Sequence, residues 1–330
     1  MALSRVFKFD DPSACQAVFP SADVALFPIV KGNFHAEITQ VGMNRLWMHR
    51  IHISLPEINT VAVNSGRTSI GFLTECNSSS LLDCGLEVRP GDIVMNRSDV
   101  VYQRSDADLH YGTVSIPSDD LAAAVEIIVG RKLPVAGRKS IIRPPPALMR
   151  RLLNLHKGIA HLAHDTPDIL ELSEVGRALK EQLLHLMVRC LAEGVGLDIT
   201  LGFRRHDVIM RRFEEYLVGH SEQPLYLSEI CSCLGVAERT LRASCEDHLG
   251  MGPIRYLTLR RMHLVRRALQ RADSSNSSVT RIVTDHGFWE LGRFSVAYRK
   301  LFGQSPSETL QTSTGGLQRS SPSSVAAARM

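Results

Sequence analysis

The sequence predicts an α+β chain of two domains, a β-sandwich or small barrel followed by an all-helical domain. Three observations predict it. Residues 34–116 hold short Val-, Ile- and Thr-rich segments broken by Asn, Ser, Gly and Pro. After Ser118 the apolar residues recur at helical spacing. The stretch GFWELGRFSVAYRKLFGQSP (287–306) repeats the pattern of GVAERTLRASCEDHLGMGP (235–253). At 330 residues the chain exceeds one typical domain.

The predicted strands are HAEITQV, RLWMHRIHISLP, NTVAVNS, TSIGFLTE, LEVRPGDIVMNR and LHYGTVSIP. Ile51, Ile53 and Leu55 alternate with His52 and Ser54, which marks a half-buried strand. Many short strands with turn signals between them suit a sandwich or barrel over 1–140. SDDLAAAVEIIVG then predicts a helix with Ser118 as its N-cap and acidic residues in its first turn. A basic, Pro-rich link leads to two longer helices, about 147–164 and 168–193. In the second, Leu172, Val175, Leu179, Leu183, Leu186 and Cys190 form an apolar stripe, and Gly194 and Gly196 stop it. That stripe fits packing on the strand domain and fits a subunit interface equally well, so 141–200 reads as linker and dimerisation helices. The Ser/Gly-rich tail, 311–330, is expected to be disordered.

Composition narrows the function. The chain is 44% hydrophobic and 22% charged, ordinary for a soluble protein. Its longest apolar run falls short of the roughly 18 residues that span a bilayer, and no basic-then-apolar leader is evident. A cytoplasmic protein without a membrane partner is expected. The seven cysteines are odd in number and scattered, unlike a disulfide framework. Charge is uneven: residues 1–203 carry 20 Lys+Arg against 22 Asp+Glu, whereas 204–310 carry 16 against 12. Fifteen of those 16 are Arg, whose guanidinium forks phosphate oxygens.

The repeat locates the helical domain. Ile230 pairs with Ile282 and Gly235 with Gly287 at an offset of 52. Leu241 with Phe294, Leu249 with Phe302, Gly250 with Gly303 and Pro253 with Pro306 follow at 53. In each copy a short amphipathic helix ends at a Gly that can turn left-handed, an apolar residue (Val236; Phe288) packs the turn, and a second helix follows. That is a helix-turn-helix, whose second helix enters the major groove of double-stranded DNA. Two such units are placed at 227–249 and 279–302, inside a domain at 204–310. PIRYLTLRRMHLVRRALQRA (253–272) joins them as one helix, with Ile254, Leu257, Met262, Leu264, Val265, Ala268 and Leu269 on its apolar face. A rod of about 24–27 Å lets the two recognition helices stand about one DNA turn apart.

Helical spacing turns Leu241, Cys245 and Leu249 inward in the first copy, and Phe294, Tyr298 and Phe302 in the second. The expected base contacts are therefore Glu238, Arg239, Thr240, Arg242 and Ala243, with Leu291, Gly292, Arg293 and Val296 in the second helix. Arg239 and Arg293 matter most, because Arg is the usual bidentate partner of guanine. Arg260, Arg261, Arg281, Arg299 and Lys300 are expected at phosphates.

Residues 206–310 resemble the DNA-binding domain of the AraC/XylS family of bacterial transcription regulators. The matching stretches are LSEICSCLGVAERTLRASCEDHLGMGPIRYLTLRRMHLVRRAL and VTRIVTDHGFWELGRFSVAYRKLFGQSPSETL, the second being the more specific. The chain departs from that pattern at Ala237, where the family usually caps the first recognition helix with Ser; a lost cap costs about 1 kcal/mol. It departs also at Ala243 (often Arg), Cys245 (often Phe), and Cys231 and Val283 (usually Ala). The resemblance implies a cupin-like N-terminal domain that binds a small-molecule effector, a homodimer, and an activator that contacts RNA polymerase, with no cofactor and no catalytic residue.

Two rival readings exist. A metal-dependent cupin-type enzyme would need imidazoles and a carboxylate converging within the barrel. His49 and His52 should face opposite sides of a strand, and His35, Glu37 and His110 stand isolated in the sequence. A redox or alkylation sensor would use Cys15, Cys76 or Cys84, but the sequence gives these no activating neighbours. Cys231 and Cys233 fall on a helix-turn-helix scaffold.

Overall fold

The computed structural model describes residues 2–19, 22–63, 66–75, 80–96, 100–130, 139–196, 201–220, 225–273 and 276–313. Its first strands are β1 (Ala2–Phe9), β2 (Ala22–Pro28), β3 (Ala36–Met43), β4 (Leu46–Ile53) and β5 (Glu57–Val63). Then come β6 (Arg67–Leu73), β7 (Leu81–Asp83), β8 (Leu86–Val88), β9 (Ile93–Asn96), β10 (Val100–Ser105) and β11 (Leu109–Pro117). Helix α1 (Ser118–Val129), β12 (Lys139–Arg143), α2 (Pro146–Asp165), α3 (Pro167–Glu171), α4 (Ser173–Glu193) and β13 (Val195–Gly196) complete the N-terminal domain.

These strands form two antiparallel sheets, ordered β1-β3-β4-β11-β6-β9-β12-β13 and β2-β5-β10-β7-β8. A core containing Leu26, Ile38, Ile53, Leu81, Val94 and Leu109 fills the space between them. Alternation sends the other side chains of the larger sheet outward. Met48, Phe72 and Val114 there pack against Leu152, Ile159, Leu183 and Met187 of α2 and α4. The result is a β-sandwich with helices on one outer face. Its hairpins use turn chemistry that the sequence advertises: Asn44 (φ 57) opens the two-residue β3–β4 turn, and Cys84-Gly85 (φ 45 and 80) closes β7 on β8.

Several expectations need correction. The helices of 141–200 lie on the sheet, one of the two placements their apolar stripe allowed, but β12 and β13, which the sequence pattern did not mark, also join it. Ser118 is the first residue of α1, not its cap, and its hydroxyl lies 2.9 Å from the Thr68 hydroxyl. The single helix expected at 168–193 breaks at Leu172, whose backbone is extended and whose side chain is exposed. Strands β1, β2, β7 and β10 were not anticipated. Helix α11 (Pro306–Ser313) covers the start of the predicted tail, of which residues 314–330 lie outside the described residues.

The C-terminal domain consists of α5 (Leu201–Gly219), α6 (Leu227–Leu234), α7 (Glu238–Leu249), α8 (Pro253–Arg271), α9 (Val279–Asp285), α10 (Leu291–Phe302) and α11. It has two cores. One holds Ile209, Phe213, Ile230, Leu241, Cys245 and Tyr256, and it is continuous with Phe27, Ile58, Val101 and Tyr102 of the smaller sheet. The other holds Met262, Val265, Leu269, Val283, Phe294 and Tyr298. Helix α8 contributes to both, so its apolar face is wider than the sequence suggested and includes Tyr256, Leu259 and His263; Ile254 is exposed instead.

Candidate nucleic-acid interface

Both turns are built alike. Gly235 (φ 64) and Gly287 (φ 77) take the left-handed conformation. In each copy the next residue donates its N–H to a carbonyl five residues back: Val236 to Cys231 at 3.1 Å and Phe288 to Val283 at 3.2 Å. The second helices also end alike, at Gly250 (φ 65) and Gly303 (φ 79), with N–H bonds to Glu246 and Arg299 carbonyls. The extra residue of the second copy falls in its turn, where 287–290 stands against 235–237 in the first, counted from the equivalent glycines to the second helices. Hence α7 and α10 are structural equivalents, and the 19-residue α8, about 27 Å long, bridges their units.

Leu241, Cys245 and Leu249 are buried, as are Phe294 and Tyr298, while Phe302 is half-buried. The opposite face of α7 exposes Glu238, Arg239 and Arg242, with Thr240 and Ala243 half-exposed. Arg242 and Glu238 form an i,i+4 pair at 3.0 Å. On α10, Gly292, Arg293, Ser295 and Val296 are exposed, and Arg293 meets Glu290 at 2.7 Å. Such surface pairs are worth at most about 1 kcal/mol and yield readily to a stronger acceptor. Arg239 has no ion-pair partner among the described residues. Leu291 is partly buried against the second core, so it serves packing more than the outer face. Ala237 takes the extended cap conformation with no side-chain bond to offer; Ser278, before α9, does cap, accepting from the Arg281 N–H at 3.1 Å.

The phosphate candidates divide. Arg281, Arg299 and Lys300 are exposed, with Arg281 only 3.9 Å from Asp285. Arg260 is not on the surface: it lies 3.1 Å from the buried Glu214 carboxylate and 5.0 Å over the Phe27 ring. Its guanidinium also donates to the Tyr256 hydroxyl at 3.0 Å. Burial pushes the Glu214 carboxyl up, and Arg260 pulls it back toward the charged form. Arg261 is half-buried, stacked 5.0 Å from the Phe288 ring and donating to the Gly287 carbonyl at 3.4 Å. It fixes α8 to the second turn. Spacing alone put these two arginines on a polar face; the neighbouring sheet and turn cover them. Trp289, 72% exposed beside α10, was passed over by the sequence reading although a surface Trp next to a recognition helix is itself a signal.

The buried cysteines give the sensor reading no support. Burial pushes the Cys15 thiol up to about 12 and Cys190 to about 11, and raises Cys245. Such thiols are poor nucleophiles. Cys76 lies outside the described residues. His49 and His52 do face opposite sides, but His110 is not isolated, because it pairs with His52 across β4 and β11.

A family described as a helix-turn-helix domain matches residues 230–312. The "Probable thc operon regulatory protein" of Rhodococcus erythropolis is 32% identical over 171 residues, 49% of this chain and 49% of that protein. The "XylDLEGF operon transcriptional activator 2" of Pseudomonas putida is 29% identical over 33% of this chain and 69% of its own. The solved structure of the AraC-like transcriptional activator CuxR is 17% identical, covering 80% of this chain and 94% of that one with a TM-score of 0.42. The chain thus matches about half the length of the first of these relatives. Two equivalent helix-turn-helix units, the matched 230–312 segment and these relatives identify the C-terminal domain as a helix-turn-helix domain similar to those of the AraC/XylS transcription regulators.

Proposed function

We propose that this protein regulates transcription, as an activator, by binding double-stranded DNA with α7 and α10 in two consecutive major grooves. The observation that carries this reading is the pair of equivalent helices, each with its core face buried and its arginine-bearing face exposed, on one connecting helix. Arg239 and Arg293 would read bases; Arg281, Arg299 and Lys300 would hold phosphates. As an activator it would also contact RNA polymerase, and the chain would act as a homodimer on repeated half-sites.

The effector would occupy the cavity between the two sheets. Its wall includes Ile38, Ile51, Val61 and Leu109 with the polar groups of His49, Asn59, Gln103 and Tyr111. Burial holds His49 neutral, its pKa lowered to about 3, and among the described lining residues none is Lys, Arg, Asp or Glu. An uncharged, largely apolar molecule with one or two hydrogen-bonding groups suits that wall.

Genome-wide mapping of DNA bound by the full chain, followed by titration of a recovered site at several salt concentrations, tests the proposal. A recurrent site bound about a thousand-fold or more over random DNA is expected. Equal affinity for all sequences would overturn it.

A further inference from the structure

His52 and His110 stand opposite each other in the β4–β11 register. Their imidazoles stack 4.3 Å apart, with planes 11° from parallel. Asp108, in the turn before β11, takes φ 62 and anchors its N–H on the Ser54 carbonyl at 3.3 Å. This aims its carboxylate at both rings: Oδ1 lies 2.8 Å from His52 Nε2 and 3.5 Å from His110 Nε2. One ligand atom from each of the three residues lies within 4.8 Å of the other two. Tetrahedral zinc, with bonds of about 2.0–2.1 Å, needs neighbouring ligand atoms about 3.3–3.4 Å apart. Stacked as they are, the two rings must rotate about their Cβ–Cγ bonds to turn both nitrogens toward one ion.

We infer that His52, Asp108 and His110 bind a divalent transition-metal ion of the zinc class. Two imidazoles and one carboxylate favour zinc, nickel or copper over magnesium or calcium, and three protein ligands leave one position for water. A second feature points the same way. Glu75 Oε1 lies 3.4 Å from His110 Nδ1, the ring nitrogen remote from Asp108, and is itself held by Arg50 at 3.2 Å. Metal-bound histidines characteristically donate their other N–H to such a carboxylate, which fixes the tautomer and the ring. All three ligands are reachable from solvent, since the two rings keep 31% and 22% of their side-chain exposure and Asp108 keeps 74%. None of them lines the intersheet cavity or lies in a helix-turn-helix unit, so the site is distinct from both.

The test uses metal-free full-length chain in a Cys233→Ser background, because Cys233 is an exposed thiol. Zn2+ is titrated against a chromophoric chelator, and Co2+ is followed by visible absorption. One ion per chain is expected, with the intense bands of tetrahedral Co2+. His110→Ala and Asp108→Asn should each weaken binding by at least about ten-fold, and Glu75→Gln by about 10–100-fold with the stoichiometry kept. Asn accepts a positive φ as Asp does, so Asp108→Asn tests the ligand even where His110→Ala disturbs the fold. His164→Ala, at another exposed His–Asp contact, should change nothing. No bound ion, or binding that survives Asp108→Asn and Glu75→Gln, overturns the inference; so does loss on His164→Ala.

Discussion

The Tyr102 hydroxyl, on β10 of the N-terminal domain, stands 2.7 Å from Nδ1 of His248, in the last turn of the recognition helix α7. Around this contact the β7–β8 turn and the first helix-turn-helix unit fit closely. The His248 ring lies where a Cβ on Gly85 would be, and the Arg104 guanidinium lies where a Cβ on Gly250 would be. His263 of α8 reaches the Pro28 carbonyl at 3.0 Å, and Asp11 meets Gln270 and Arg266. The sandwich and the DNA-binding domain are therefore packed through one continuous core, and an event inside the sandwich has a physical route to α7.

Replacing Tyr102 by Phe should destabilise the chain by about 1–3 kcal/mol, since it leaves a buried partner of His248 missing. Thermal unfolding measures this, and an unchanged midpoint would show that the contact contributes nothing.

Arginines that look alike in sequence should behave differently. Arg260→Ala leaves the Glu214 carboxylate buried without its ion partner and should cost about 3–5 kcal/mol of fold stability. Arg281→Ala should leave stability unchanged within about 0.5 kcal/mol. It should weaken all DNA sequences alike and lower the salt slope by about 1. Unfolding curves and salt titrations of the two variants separate these outcomes.

Stability should peak near pH 6–7. Burial lowers His49 and His263 to about 3 and His156 to about 4, so below the unfolded value of about 6.5 the unfolded chain binds protons that the folded chain refuses. Their contribution is present above pH 6.5 and is lost as pH falls toward 4 and 3. Glu57 has the opposite sign. Burial raises it to about 8, so its contribution is full below the unfolded value and is lost as pH climbs from about 4.5 to 8. Midpoints measured from pH 4 to 9 should trace this maximum, and Glu57→Gln should remove the decline above about pH 7 and steepen the rise between about 4.5 and 6.5.

Ala237→Ser should stabilise the first helix-turn-helix unit by about 1 kcal/mol, because the residue already has the extended cap geometry and lacks only the acceptor oxygen. A midpoint that fails to rise would mean the exposed N–H groups of α7 are satisfied by water at no cost.

The helix-turn-helix units were legible because their signals are local. Gly235, Gly250, Gly287 and Gly303 all take left-handed backbones, and the inward residues of α7 and α10 follow simple helical spacing. The strands of 36–117 were largely legible from alternation and turn residues, but β1, with Arg5 and Lys8 among its apolar residues, and the short β7 resembled loops. Long-range partners were not legible. Arg260 is claimed by Glu214 and Phe27, and His52 and His110 meet only through sheet register, so nothing near either in sequence announces it.

Hydroxyl-radical footprinting on a recovered site shows whether α7 and α10 read two successive grooves on one face of DNA. Two protected patches about 10 base pairs apart on the same face are expected, with Arg239→Ala fading one and Arg293→Ala the other. A single patch, patches on opposite faces, or protection indifferent to both substitutions would contradict that reading.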